Sequence, residues 1–341
     1  AKELRNIMNE IEEFIISENY MNNIMFAKRM MMSQEIKANN CIEGIKDDLT
    51  LIDDVIKNKK SLSNNERDRI INLYHGYEFI LNHKVINKDN LRELYNLLSN
   101  GLLDKYSLNN MGEYYRLKPV YIMKGDRLDT NFYLGMDESK LDDYMDRLFE
   151  YINMDYMSNS EIENYIKSQI IHFYFVYIHP YFDINGRTSR TLAMWYFLNK
   201  KAYPYIIFNR AIAFNQSKYV SNIIRTRETG NITAFLKYML LNVKLEFEKE
   251  YVIQSINMLS KNKLTKDNLQ TLEYISTMNG NITAKDFTST YCRFNDNKRP
   301  KFIIEEKLQP LIEKDIIIKN DITNSYIDSN LFNYRFSIND N

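Results

Sequence analysis

The sequence predicts a mainly helical protein with one short β-hairpin near its middle and three helices followed by a hairpin at its end. Three observations carry this expectation. Only 9 glycines and 5 prolines punctuate 341 residues, which suits long helices better than many short strands. Apolar residues recur at helical spacing through most of the chain. Strand-like runs are confined to two places, 120–123 with 131–134 and 316–319 with 325–328.

Taken in order, residues 2–33 place Leu4, Met8, Ile11, Phe14 and Ile15 on one helical side. A second helix is expected from Ile45 to Lys57. Asn64-Asn65-Glu66 caps a third, which carries Ile70, Leu73, Tyr74 and Tyr77. Lys88-Asp89 opens a fourth, with Leu91, Leu94, Leu97 and Leu98, that stops at Gly101. The segment 114–134 reads as a hairpin turning at Lys124-Gly125-Asp126. Leu141–Ile152 and Glu161–Tyr177 are helical again, as are Gly186–Asn199 and the stretch from Ala234 to Leu259, with Gly230-Asn231 as a break. The polar, basic run Ser260–Lys266 marks a domain boundary. Beyond it, helices near 267–278, 283–290 and 301–314 precede two strands around Asn320-Asp321, the order of a winged helix-turn-helix. The expected domains are 1–110, 111–259 and 260–341.

Lysines plus arginines number 45 and aspartates plus glutamates 45, so no global charge drives the chain toward nucleic acid. Cys41 and Cys292 are far apart and lack metal-ligand spacing, which points to a reducing compartment. No basic segment followed by an apolar run opens the chain, and no stretch nears the roughly twenty apolar residues of a membrane helix. These features predict a soluble, cytoplasmic protein.

The run His179-Pro180-Tyr181-Phe182-Asp183-Ile184-Asn185-Gly186-Arg187-Thr188-Ser189-Arg190 concentrates the chemistry. Pro180 disfavours helix at His179, so that histidine ends a helix and its ring can enter a cleft. Asn185-Gly186 takes left-handed backbone readily, and successive amides beside a helix start form an anion nest. Asp183 supplies the kind of oxygen that magnesium takes alongside phosphate oxygens. Arg187 and Arg190, three apart, share a helical face and can clamp phosphates. With His179 as base, these parts predict phosphoryl or nucleotidyl transfer from a nucleotide–magnesium complex.

The run resembles the signature of Fic-domain proteins, His-Pro-Phe-x-(Asp/Glu)-Gly-Asn-Gly-Arg-x-x-Arg, and the preceding His172–His179 resembles the helix that leads into it. The resemblance implies a helical Fic core at 111–259 with a hairpin flap at 114–134 that registers a target segment as an added strand. It implies that His179 deprotonates a Ser, Thr or Tyr hydroxyl of a protein target, the chain itself included. Asp183 would bind magnesium, with manganese as a substitute, bridging the α- and β-phosphates of ATP. Asn185 and Gly186 would hold phosphates through side chain and backbone, Arg187 the β-phosphate and Arg190 the γ-phosphate. Tyr219 would lie near the adenine. Two positions depart from the pattern: Tyr181 stands for phenylalanine, and Ile184 stands for the first glycine, where a β-branched residue resists positive φ.

Upstream, Ala38-Asn39-Asn40-Cys41-Ile42-Glu43-Gly44-Ile45, within an inhibitory helix near 35–45, resembles the inhibitory-helix motif of the same family, (Ser/Thr)-x-x-x-Glu-(Gly/Asn), in the subgroup that carries it N-terminally. That implies a pair between Glu43 and Arg190, supported by Asn39, which occupies the γ-phosphate's arginine. The reading is thus a self-inhibited protein adenylyltransferase, with removal of AMP as a reverse reaction. Two alternatives stand beside it: a nucleotide-sensing DNA-binding regulator that uses Lys298, Arg299, Lys301 and Lys307, and a Fic-type transferase with another donor such as UTP. A homodimer is compatible with either, and a membrane is expected in neither.

Overall fold

The computed structural model describes residues 6, 9–10, 28–57, 64–124, 127–133, 135–154, 161–200, 208–259, 264–276, 281–295, 298–321 and 334–338. The amphipathic helix expected over 2–33 lies mostly outside them, as does the strand expected at 325–328.

The N-terminal part builds a helical layer. Helix α1 (Lys28–Ile42) ends at Glu43-Gly44, where Gly44 takes φ +81° and its amide donates to the Cys41 carbonyl, the left-handed helix stop that glycine permits. Helix α2 (Leu49–Ile56) starts at Asp48, whose carboxylate accepts from the Thr50 amide. It therefore begins four residues later than expected, because Asp48 is the better cap. Helices α3 (Asn64–Asn82), α4 (Lys88–Ser99) and the short α5 (Lys105–Asn109) follow. Asn87 caps α4, and the apolar stripe of Leu91, Leu94, Tyr95 and Leu98 is buried.

Strands β1 (Tyr121–Lys124) and β2 (Arg127–Tyr133) pair antiparallel, with Ile122 opposite Asp129 and Lys124 opposite Arg127. The expected hairpin is present. Helices α6 (Leu141–Asn153), α7 (Glu161–Ile178) and α8 (Asn185–Asn199) complete the centre. Helix α8 is buried from Arg187 to Phe197 on every side, the mark of a helix at the middle of a helical layer. It packs on α7, α3, α4 and the short α9 (Phe208–Ala213), while α1 packs on α9 and α3. Trp195 donates through Nε1 to the His83 carbonyl at 2.6 Å, which pins α8 to the end of α3. Helices α10 (Gln216–Thr229) and α11 (Thr233–Leu259) are separated by Gly230 at φ +67°.

The C-terminal part runs α12 (Lys266–Ser276), β3 (Asn281–Thr283), α13 (Ala284–Phe294), α14 (300–312, with a π turn at Ile304–Leu308), β4 (Ile317–Asp321) and β5 (Tyr334–Ile338). The sheet order is β3-β5-β4, antiparallel throughout. The strand that pairs with β4 thus comes later in the chain than the expected 325–328. The run Tyr334-Arg335-Phe336-Ser337-Ile338 alternates apolar and polar types with period two, the better strand signal of the two.

This part sits against the N-terminal helix. Lys37 donates to Asn295 at 2.6 Å, Lys46 to the Cys292 carbonyl at 2.6 Å, and Arg293 to the carbonyls of Ala213 and Phe214. Phe214 packs on Phe294 and Tyr274. No helix among the described residues is long and apolar enough to cross a membrane.

Candidate functional site

Helix α7 ends where Pro180 demands. His179 takes φ +54°, a left-handed value uncommon for any residue with a Cβ. Its Nδ1 lies 3.3 Å from the Val176 carbonyl. A carbonyl only accepts, so Nδ1 carries the proton and Nε2 keeps its lone pair. Burial pushes the imidazole pKa down to about 4, and the cations of Arg116 and Arg227 add to this, against the Val176 contact. The ring is neutral at physiological pH.

The loop to α8 is closed by Asn185. Its Oδ1 accepts from the Tyr181 amide at 3.0 Å and its Nδ2 donates to the Tyr181 carbonyl at 2.8 Å. The side chain expected on phosphates is engaged in holding the turn instead, which leaves anion contact to the backbone. Tyr181 keeps the buried place of the family's phenylalanine, stacked on Tyr95 at 3.6 Å between centroids and near Phe175 and Tyr115. Ile184 takes φ +64° at the N-cap of α8 and is buried.

The predicted strain at this position is present, on the order of 1–2 kcal/mol for a residue with a Cβ. Ile184→Ala and Ile184→Gly lose the same buried side chain, but only glycine relieves the backbone. The glycine variant is expected to melt above the alanine variant by calorimetry, and the reverse order would contradict this account.

Isoleucine carries no acceptor, so the first amides of α8 have no side-chain cap. What stands over that helix end is a carboxylate. A Cβ built on Gly186 would lie 2.8 Å from Glu43 Oε1 and 3.1 Å from Arg190 Nη1. Arg190, 2% exposed, donates through Nη2 to Glu43 Oε1 at 2.6 Å, with the Glu43 side chain 35% exposed. Burial opposes ionisation of Glu43, yet the Arg190 guanidinium outweighs it and holds the carboxyl below its usual range. Arg187 is buried, and its Nε has no hydrogen-bond partner. Asp183 is exposed, and its Oδ1 accepts from the Ile184 amide.

Asn39 acts on Glu43 through the arginine. Its Oδ1 accepts from Arg190 Nη2 at 2.6 Å and Nε at 3.3 Å, and its Nδ2 donates to Tyr77 at 3.1 Å. Behind Arg190 lies a pair that the sequence did not reveal. Tyr219 is buried, its hydroxyl accepts from Arg190, and it meets His172 Nε2 at 2.9 Å. His172 Nδ1 faces Gln169 Oε1 at 3.3 Å, so Nδ1 donates and Nε2 accepts from the tyrosine. Burial, reinforced by Arg190, drives the His172 pKa down to about 3. Tyr219 therefore sits beneath the arginine rather than on an open wall.

A second buried group underlies α1. Glu35 accepts from the amides of Asn209 and Arg210 at 2.8 and 3.3 Å. Burial raises its pKa to about 7 against those bonds and the nearby Arg210 charge. A carboxyl raised from 4.5 to 7 contributes stability that is full below pH 4.5 and lost as pH rises through 7. The melting temperature of the parent chain minus that of Glu35→Gln should fall across that range, and a constant difference would contradict the assignment.

His83 stacks on Phe79, and His75 lies 3.5 Å from Glu78, both away from this site. Three of the four C-terminal cations proposed for DNA are paired internally: Lys298 with Glu306, Lys301 with Glu305, and Lys307 with Asp267 and Glu306. That pairing weakens the local positive field on which phosphate binding depends.

Residues 85–197 match the model of the Fic/DOC family. The chain carries a Fic domain. Over 95 residues it is 33% identical to a protein adenylyltransferase Fic of Drosophila willistoni, a match that covers 28% of this chain and 18% of that relative. A Fic family protein from Desulfovibrio desulfuricans G20 superposes with a TM-score of 0.61 at 19% identity, over 99% of this chain and 95% of that one. A Fic-1 fragment from C. elegans gives 0.57 at 15% identity, over 74% and 73%. At these identities the solved structures show a shared fold, mainly helical. The Fic domain places His179, Asp183, Gly186, Arg187 and Arg190 around one helix start. Arg116, which donates to the His179 carbonyl, joins them from a position with no local sequence signal.

Proposed function

We propose that this Fic domain transfers AMP from ATP to a protein hydroxyl and that Glu43 restrains it. The single observation that carries the proposal is the Glu43–Arg190 pair seated over the uncapped start of α8. A carboxylate there occupies the position in which backbone amides and two arginines favour an anion. A triphosphate fits the same donors, and the unpartnered buried Nε of Arg187 is what such a ligand would satisfy. The described residues hold no cluster of three acidic, His or Cys side chains suited to a metal. The exposed Asp183 carboxylate alone fits a magnesium ion, or manganese, held mainly by phosphates. When bound, that ion supplies charge neutralisation at the α- and β-phosphates.

The chain's own residues account for the rest. His179 Nε2 takes the proton from a serine, threonine or tyrosine hydroxyl of the target as its oxygen bonds the α-phosphorus. The bond from that phosphorus to the bridging oxygen breaks, and pyrophosphate leaves with the donors of α8 and Arg187 around its charge. With Glu43 displaced, Arg190 is released to the γ-phosphate. The hairpin of β1 and β2 offers a strand edge along which a target segment is registered, and the C-terminal unit, in our reading a winged helix, braces α1 through the bonds of Lys37 to Asn295 and Lys46 to the Cys292 carbonyl. Removal of AMP would have His179 deliver a proton to the leaving hydroxyl, with Glu43 taking one from the attacking water.

ATP labelled in the α- or the γ-phosphate separates the chemistries. With magnesium and the Glu43→Gly variant, label in protein from the α position alone supports nucleotidyl transfer. Label from the γ position alone would replace it with phosphoryl transfer, and a stronger signal from UTP would replace the donor.

A further inference from the structure

Arg116 is 1% exposed and lies ahead of β1. Its three guanidinium nitrogens diverge onto three main-chain carbonyls: Nε to His179 at 2.9 Å, Nη1 to Lys118 at 2.8 Å and Nη2 to Met136 at 2.5 Å. Lys118 precedes β1 and Met136 follows β2, so one side chain joins both roots of the hairpin to the histidine. The backbone repeats the connection. The Arg116 amide donates to the Pro180 carbonyl at 3.0 Å, and the Met136 amide to the Ile178 carbonyl at 3.0 Å. The carbonyls of Ile178, His179 and Pro180, the last residue of α7 and the two that follow it, are thus taken by the hairpin's roots. A guanidinium also suits the negative end of a helix.

Gly135 shows how close the approach is. A Cβ there would lie 2.7 Å from Arg116 Nη2, 2.8 Å from His179 Cβ and 2.9 Å from the Ile178 carbonyl oxygen. The positive φ of His179 needs such support, because a strained backbone persists only where its surroundings over-determine it.

We propose that Arg116 is a positioning residue, clamping the hairpin's two roots to the His179 carbonyl so that the base and the strand presenting the target hydroxyl keep one fixed separation. The proposal rests on the transferase reading for its consequence, though the clamp has a readout of its own. The three guanidinium bonds of Arg116 run to the hairpin's roots and to the His179 carbonyl, so nucleotide affinity and transfer rate should part company when it is changed. A displacement of about 1 Å between base and hydroxyl costs on the order of a hundredfold in rate.

The test uses the full chain with Glu43→Gly as parent, against the same chain with Arg116→Met or Arg116→Lys added. The methionine keeps length and burial and loses all three bonds. The lysine keeps the charge and can reach a single carbonyl at a time. With ATP and magnesium, kcat for labelling protein should fall about a hundredfold in Arg116→Met and recover in part in Arg116→Lys, while the Kd for ATP changes less than about threefold. Equal kcat in parent and Arg116→Met, or a Kd that worsens in step with kcat, overturns the proposal.

If the parent transfers nothing, the transferase reading fails and hydrogen exchange decides the clamp alone. Faster exchange at the amides of residues 116 and 136, with α3 and α8 unchanged, supports it. Unchanged exchange at both amides overturns it. Should Arg116→Met fail to fold, Arg116→Lys is read by the same two measurements.

Discussion

Glu43→Gly is expected to label itself or a target with AMP ~5–150-fold faster than the parent chain, the range that couplings of 1–3 kcal/mol between sites produce. The magnitude follows from where Glu43 sits. Its partner Arg190 is almost wholly buried, fixed by Asn39 and backed by Tyr219, while Glu43 itself is a third exposed at the end of α1. Removal of the carboxylate therefore vacates the anion position without moving the arginine. Gly44 already supplies the left-handed turn after residue 43, so a second glycine loosens α1 only at its last turn. Glu43→Gln separates charge from bulk. It keeps a hydrogen-bond acceptor for Arg190 and loses the ion pair, so its rate should fall between the two. A rate for Glu43→Gln equal to the parent's would assign the restraint to shape instead of charge.

His179→Ala, placed on Glu43→Gly, is expected to lose 10²–10⁴-fold in transfer, the span of a general base, while ATP binding stays. The contacts that fit the phosphates belong to α8, and none runs through the imidazole. The pH dependence carries the same assignment. Burial first, then the nearby arginines, lowers the His179 pKa to about 4. A base must be unprotonated, so the rate should rise as pH passes through about 4 and stay level above it. A limb near the ordinary 6.5 would mean that the ring is solvated during the reaction.

The segment 172–190 was legible in the sequence because its logic is local. Pro180 ends a helix, Asn185 and Gly186 begin one, and two arginines three apart share its face. The hairpin was legible too, from strand-like runs at 120–123 and 131–134 on either side of Lys124-Gly125-Asp126. Glu43 is 147 residues from Arg190, and only the resemblance of 38–44 to an inhibitory motif joined them before the fold did. His172 with Tyr219, Glu35 with Asn209 and Arg116 with His179 were not legible. Each pairs side chains or carbonyls from distant helices, and burial gives them their meaning. Asn185 shows a different limit. Its type suits phosphate contact, but its geometry serves the loop.

Ile184 changed in standing as well. A β-branched residue in a glycine position was expected to resist, and it does adopt the strained conformation, with its side chain buried against the core. Packing holds what the backbone disfavours. The contact of the C-terminal unit with α1 through Lys37 and Asn295 likewise ties the helix that bears Glu43 to a region that the sequence marked only as a separate domain.

The most direct measurement is the intact mass of three proteins after incubation with ATP and magnesium: the parent chain, Glu43→Gly, and Glu43→Gly with His179→Ala. The account predicts a gain of one or more AMP units in Glu43→Gly, little in the parent and none in the double variant. An equal gain in parent and Glu43→Gly, or a gain that survives His179→Ala, would contradict it.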